Sequence, residues 1–128
     1  MRIHFLAGFL ALATPALADT IFSSGSMIYS GSGATSTRCS IYNAGTKSVT
    51  ITSVGIIPYD TSLGTTPVDF QNCLGTPLAP DATCAFTGTL GVYGGGVAKV
   101  KGSTKSLRGN CTLYTSPGFV ALLTEPMR

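Results

Sequence analysis

Short runs of alternating apolar and polar residues, each ended by turn-forming residues, are the pattern that most constrains this fold. Cys39, Ile41 and Asn43 alternate with polar residues before an Ala-Gly turn, and residues 107–114 repeat the pattern. No stretch of about ten residues places its apolar positions at the 3.6-residue period of a helix. About seven or eight such runs predict an all-β, immunoglobulin-like β-sandwich rather than a helical or βαβ fold.

The low charge of the chain excludes several classes of protein. Only 10% of the 128 residues are charged, against a usual fraction of about 25%. That composition argues against a coiled coil, a nucleic-acid-binding tail and a charge-rich disordered linker. The formal net charge is +3, and we expect no nucleic-acid partner. The length suits one domain, without a repeat or an interdomain linker.

Residues 1–18 have the pattern of a secretory signal peptide. Arg2 is followed by an apolar run over residues 6–13 and by Pro-Ala-Leu-Ala at residues 15–18. We expect cleavage between Ala18 and Asp19. The apolar run is shorter than the roughly 20 residues that span a bilayer, and no later run reaches that length. We therefore expect a secreted or periplasmic protein with no transmembrane segment after cleavage.

The four cysteines all follow the predicted cleavage site, at positions 39, 73, 84 and 111. In an oxidising compartment they predict two disulfides, for which three pairings exist. No C-x-x-C pair is present, so we expect neither a metal nor a cofactor. Loop-closure entropy does not choose between 39–111 with 73–84 and 39–73 with 84–111, since each sums to about 7 kcal/mol. The Pro77 and Pro80 turn favours Cys73–Cys84, which leaves Cys39–Cys111.

The chain after the signal peptide divides into two parts by composition. Residues 19–37 are rich in Ser and Gly and are expected to form an edge strand or a loosely held segment. Residues 38–128 are expected to form the sandwich. Within it, residues 97–101 and 107–114 predict a hairpin around Gly102, and residues 93–96 predict a flexible turn.

Two stretches resemble a known family. Residues 43–54, NAGTKSVTITSV, are similar to the strand-turn-strand of Hydin-type immunoglobulin-like domains. Asn72-Cys73 and residues 78–84, LAPDATC, are similar to the N-C and L-A-P-G-x-x-C segments of bacterial exported members. The resemblance implies a seven-stranded sandwich, a Cys73–Cys84 disulfide and an adhesive, scaffolding or targeting role. Asp81 replaces the usual glycine, and Thr87-Gly88-Thr89-Leu90 replaces the usual F-x-P.

The positive charges are unevenly distributed. Four basic residues lie within ten positions around the predicted hairpin: Lys99, Lys101, Lys105 and Arg108. One hypothesis is that they bind an anionic surface such as phospholipid, lipopolysaccharide or acidic glycan. The alternative is a solvated edge whose lysines prevent sheet-to-sheet aggregation.

The residue types available after cleavage favour binding over catalysis. His4 is the only histidine in the chain, so the exported part would lack the commonest general base and zinc ligand. We therefore predict a non-enzymatic binding or structural module with a protein or envelope partner. One alternative is a small secreted hydrolase that uses Asp60 and Asp69 as a carboxylate pair. Another is a glycan platform built on Tyr59 and Tyr93.

Overall fold

The computed structural model describes residues 17–25, 27–28, 34–57, 66, 68–89, 93–116 and 121–128. These residues form ten strands and, within the described ranges, no helix. The strands are β1 (Asp19–Ser23), β2 (Met27–Ile28), β3 (Ala34–Asn43), β4 (Ile51–Ile56), β5 (Phe70–Gln71), β6 (Thr83–Thr89), β7 (Tyr93–Gly94), β8 (Gly96–Lys101), β9 (Leu107–Ser116) and β10 (Ala121–Met127).

Two main antiparallel sheets pack face to face. One has the order β10-β9-β3-β6-β5 and the other the order β1-β8-β4, while β2 and β7 pair as a small ribbon. Buried apolar residues from both main sheets form one core, which includes Ile41 and Phe86 from the first and Ile56 and Val100 from the second. The prediction of an all-β sandwich with two disulfides is confirmed.

The grouping of strands is immunoglobulin-like at its centre and differs at its ends. With β2, β7 and β10 set aside, the other seven strands correspond in order to A–G of an immunoglobulin domain, whose sheets are A-B-E-D and C-F-G. Here β3, β6 and β5 keep the B-E-D grouping, and β4 and β8 keep C-F. The first and last of the seven have exchanged sheets, since β1 pairs with β8 and β9 pairs with β3.

Both disulfides have the predicted pairing, Cys39–Cys111 and Cys73–Cys84. Cys39 and Cys111 are directly opposite each other on β3 and β9, so this bond lies within one sheet. In immunoglobulin domains the conserved disulfide instead joins strands B and F and crosses between the sheets. The Cys73–Cys84 bond closes the proline-containing loop onto the start of β6.

The predicted hairpin is wrong. β8 pairs with β1 and β4, whereas β9 pairs with β3 and β10 in the opposite sheet. Residues 102–106, here called the arch, therefore cross from one sheet to the other. The physical reason is that Val100 of β8 and Leu113 of β9, both 0% exposed, point into the same core from opposite sides. A hairpin would place both strands in one sheet.

The glycines at positions 94–96 also differ from the prediction of a flexible turn. They are buried, and Gly96 begins β8 directly over the Cys39–Cys111 disulfide. A Cβ on Gly96 would lie 2.5 Å from Sγ of Cys111 and 3.1 Å from the Phe86 ring. Glycine at this position lets the two sheets approach closely, and it is a packing residue rather than a hinge.

Candidate functional site

The turn after β3 is fixed by the side chain of Asn43, which is 0% exposed. Its Nδ2 donates to the carbonyl oxygens of Lys47 at 2.9 Å and Leu78 at 3.0 Å, and its Oδ1 accepts from the amide of Gly45 at 2.9 Å. An asparagine that bonds the backbone two residues ahead forms an Asx turn. Asn43 therefore holds residues 44–48 in one shape and directs Lys47 into solvent.

The arch docks against this turn. The amide of Ala44 donates to the carbonyl of Ser106 at 2.9 Å, and a Cβ on Gly45 would lie 2.7 Å from Cβ of Ser106. Gly102 turns the arch with a φ of 85°, in the left-handed region that favours glycine. The guanidinium of Arg108 donates to the carbonyls of Lys105 at 3.0 Å and Leu107 at 2.8 Å. These bonds hold the arch closed.

A groove lies between the turn and the arch, with a volume of about 450 Å³. This volume is within the roughly 300–1,000 Å³ of small-molecule sites. We call it the basic groove, and its polar lining consists of Thr46, Lys47, Ser48, Lys101, Ser103 and Ser106. Hydroxyl groups and ammonium groups together are donors suited to phosphate, sulfate or carboxylate oxygens. The groove can therefore bind an anionic group.

The four basic residues predicted as one surface lie on β8, on the arch and at the start of β9. Lys101 lines the basic groove and Lys105 is exposed on the arch. Lys99, between Ile21 and Ser53, lies on the same outer face of β8 as Lys101 but does not line the groove. Arg108 projects from the other sheet.

Lys47 is the site residue that the sequence pattern missed. It lies far from the other lysines in sequence. Two long-range contacts bring it beside Lys101: the turn docks on the arch, and the amide of Lys101 donates to the carbonyl of Thr50 at 3.0 Å. The available signal was the Asn43-Ala44-Gly45 turn, which exposes the residues that follow it. The turn pattern does not predict that these residues contact the arch.

Two carboxylates lie at the same end of the sandwich, and each accepts a hydrogen bond from a hydroxyl group. Oδ2 of Asp19 accepts from Oγ1 of Thr52 at 3.2 Å, and Oδ1 of Asp81 accepts from the hydroxyl of Tyr42 at 2.7 Å. The hydrogen bond to Asp81, together with the negative charge of that carboxylate, raises the pKa of Tyr42 above its ordinary value. Asp19 is also the cross-strand neighbour of Lys101.

A second, shallower depression lies on the outer face of the five-stranded sheet, with a volume of about 270 Å³. Its lining residues are Ser40, Tyr42, Thr83, Arg108, Gly109 and Asn110. An aromatic ring beside amide and hydroxyl groups could contact a sugar. Of the two tyrosines proposed for this role, Tyr59 lies outside the described residues, as does the side chain of Tyr93.

The candidate carboxylate pair cannot be assembled from the described residues. Asp60 lies outside them, and Asp69 is exposed, with its amide donating to the carbonyl of Thr87 at 2.8 Å. All four cysteines are in disulfides. Among the described residues, no group of three or more His, Cys, Asp or Glu side chains could hold a metal ion.

No helix in the described part of the chain is long and apolar enough to cross a membrane. Comparison of the chain with models of protein families, with curated proteins and with solved structures gives no match.

Proposed function

We propose that this protein is an exported, non-enzymatic binding module that holds anionic groups of an envelope partner in the basic groove. The proposal rests on one observation: Lys47 and Lys101 line the same groove, and hydroxyl groups line it beside them. Neither lysine is held by the core, because both side chains are exposed. Lys105 and Arg108 add positive charge at the same end, against the two carboxylates of Asp19 and Asp81.

Export is supported by the covalent structure. Two disulfides use every cysteine of the chain, and such bonds persist in oxidising compartments. The basic start, apolar run and Ala-x-Ala ending of residues 1–18 support secretion through a cleaved signal peptide. Mass spectrometry of the protein recovered from the periplasm or medium of an expressing bacterium should give a chain that begins at Asp19. Recovery of the uncleaved chain in the cytoplasm would contradict export.

The Hydin-type resemblance belongs to the same proposal. Asp81 has a φ of 59°, which is the left-handed region where glycine has the least strain. The family has glycine at this position, so the backbone supports the resemblance there despite the different residue. An adhesive or scaffolding role, as the resemblance implies, is compatible with binding through a loop end.

Vesicle binding tests the proposal with a matched pair of variants. The mature protein should cosediment with vesicles that contain phosphatidylglycerol and not with pure phosphatidylcholine. Binding should weaken above about 0.15 M salt, where the screening length falls to about 8 Å. Lys47→Ala with Lys101→Ala should abolish most of the binding. Arg38→Ala with Arg128→Ala removes the same charge from exposed positions away from the groove and should retain it.

Two results would overturn the proposal. Equal loss in both double variants would mean that net charge alone attracts the protein to the vesicle. Absence of binding by the unmodified mature protein to anionic vesicles, and to an acidic glycan tested in parallel, would remove the groove as a binding site. Binding to the glycan alone would mean that the anionic group recognised by the groove is carried by a sugar rather than by a lipid.

A further inference from the structure

The beginning of β1 lies at the rim of the basic groove. The amide of Gly102 donates to the carbonyl of Ala18 at 3.3 Å, and the hydroxyl of Thr20 donates to the carbonyl of Gly102. Leu17 lines the groove itself, and its Cδ1 would lie 3.7 Å from a Cβ on Gly102. Residues on both sides of the predicted cleavage site are therefore part of the groove or of its edge.

We infer that removal of residues 1–18 completes the basic groove, with the new N-terminal ammonium of Asp19 as its third cation. The inference rests on the proposed function and names a processing step that controls the same site. A signal peptidase would hydrolyse the Ala18–Asp19 amide with one water molecule. Ala18 leaves with the carboxylate, and Asp19 keeps an amino group that takes up a proton at neutral pH.

Cleavage changes the groove in three ways. Leu17 no longer forms part of its wall, so the groove opens to a ligand on that side. The amide of Gly102 loses its acceptor on Ala18 and becomes a free donor at the rim. A positive charge arises beside Lys101, whose cross-strand neighbour is Asp19. Each change favours an anion, and each is absent from the uncleaved chain.

The new ammonium gives the groove its own dependence on pH. An α-amino group has an ordinary pKa of about 7.7–8.0, whereas lysine side chains titrate near 10.4 and aspartate near 3.9. The charged groups that face it are the ammonium groups of Lys47 and Lys101 and the carboxylate of Asp19 itself. An α-amino group loses its charge between about pH 7 and 9. Anion affinity should therefore fall as the pH rises through about 8.

Two chains that differ by one residue test the inference. One begins at Asp19, and the other retains Ala18, so that both carry the same net charge. The extra residue moves the ammonium by about 3.8 Å and leaves the Ala18 carbonyl on the Gly102 amide. The probe is inorganic sulfate, whose charge is constant over this pH range. The readout is the NMR shift of the Gly102 amide.

We expect the chain that begins at Asp19 to bind sulfate about threefold or more tightly at pH 6.5, as one nearby charge in a solvated site would give. The difference should shrink by pH 9, where only the free Gly102 amide still distinguishes the two chains. Equal affinities and equal pH profiles, with binding weakened by Lys47→Ala but not by Arg38→Ala, would overturn the inference and leave the proposed function intact. No saturable shift in either chain would overturn both.

Discussion

Gly96 is a residue at which the two sheets approach each other closely. Its α-carbon faces the Cys39–Cys111 disulfide, and the sulfur atoms cannot rotate away because the bond holds them. Gly96→Ala should therefore lower the free energy of unfolding by about 1–3 kcal/mol or more through overpacking. Urea denaturation measures this loss. Gly25→Ala is the matched control, since nothing lies within 4 Å of its Cβ position. Equal stability of the two variants would contradict this packing.

The hydrogen bond between Tyr42 and Asp81 predicts a change at alkaline pH. The folded protein holds the Tyr42 proton more tightly than the unfolded chain, because its pKa is raised above 10.0. The stability that this bond contributes is therefore complete below about pH 10 and is lost as the pH rises through the folded pKa. Asp81→Asn should lower the pKa of Tyr42 towards 10.0 while asparagine tolerates the left-handed backbone.

Ultraviolet titration of tyrosinate measures that shift. In the Asp81→Asn variant one tyrosine should ionise at lower pH than in the unmodified protein. In a Tyr42→Phe background the same substitution should leave the titration curve unchanged. A shift that persists in the Tyr42→Phe background would assign the effect to another tyrosine.

At the scale of elements, the two disulfides constrain the chain to different extents. Cys39–Cys111 closes a loop with a sequence separation of 72 and Cys73–Cys84 one of 11. In the chain-entropy view, their loss costs about 4.4 and 2.8 kcal/mol respectively. The Cys39–Cys111 sulfurs also fill the core, since both cysteines are 0% exposed. Replacement of Cys39 and Cys111 by Ala should therefore destabilise the protein more.

Denaturant unfolding of the two double-alanine variants, without reductant, compares these costs. Each variant keeps the other disulfide, so each serves as the control for the other. A larger loss of stability on removal of Cys73 and Cys84 would mean that the loop over residues 73–84 holds more of the fold than the link between β3 and β9.

Strand faces could be predicted from the sequence, whereas the sheet to which each strand belongs could not. The alternation predicts that Cys39, Ile41 and Asn43 lie on one face of a strand. In the structure all three are 0% exposed. The same alternation in residues 97–101 and 107–114 fits a hairpin and an arch equally well. In both cases one face of each strand is apolar, and only the long-range pairing of β9 with β3 decides between them.

At the scale of the whole molecule, β1 and β10 close one side of the sandwich. Ser23 and Arg128 exchange backbone hydrogen bonds of 3.0 and 2.9 Å, beside a bridge between Ser24 and Met127. This link joins the edge of one sheet to the edge of the other and leaves fewer unpaired backbone groups for aggregation. It also anchors β1, whose first residue lies at the basic groove.

The candidate site was only partly predictable from the sequence, because long-range contacts place one of its two lysines. Lys101 and Lys105 could be singled out because they are neighbours in sequence. Lys47 could not, because its place in the groove depends on the buried Asn43 amide and on the Ala44–Ser106 bond. The Ala44–Ser106 bond joins segments about sixty residues apart, and local patterns carry no information on it.

The most direct test of the central claim is an amide chemical-shift map of the mature protein, titrated with a soluble short-chain phosphatidylglycerol. We predict that the largest shifts fall on residues 45–48 and 101–106, the two sides of the basic groove. Largest shifts at Ser40 and Asn110, on the outer face of the five-stranded sheet, or no shifts at all, would contradict the account.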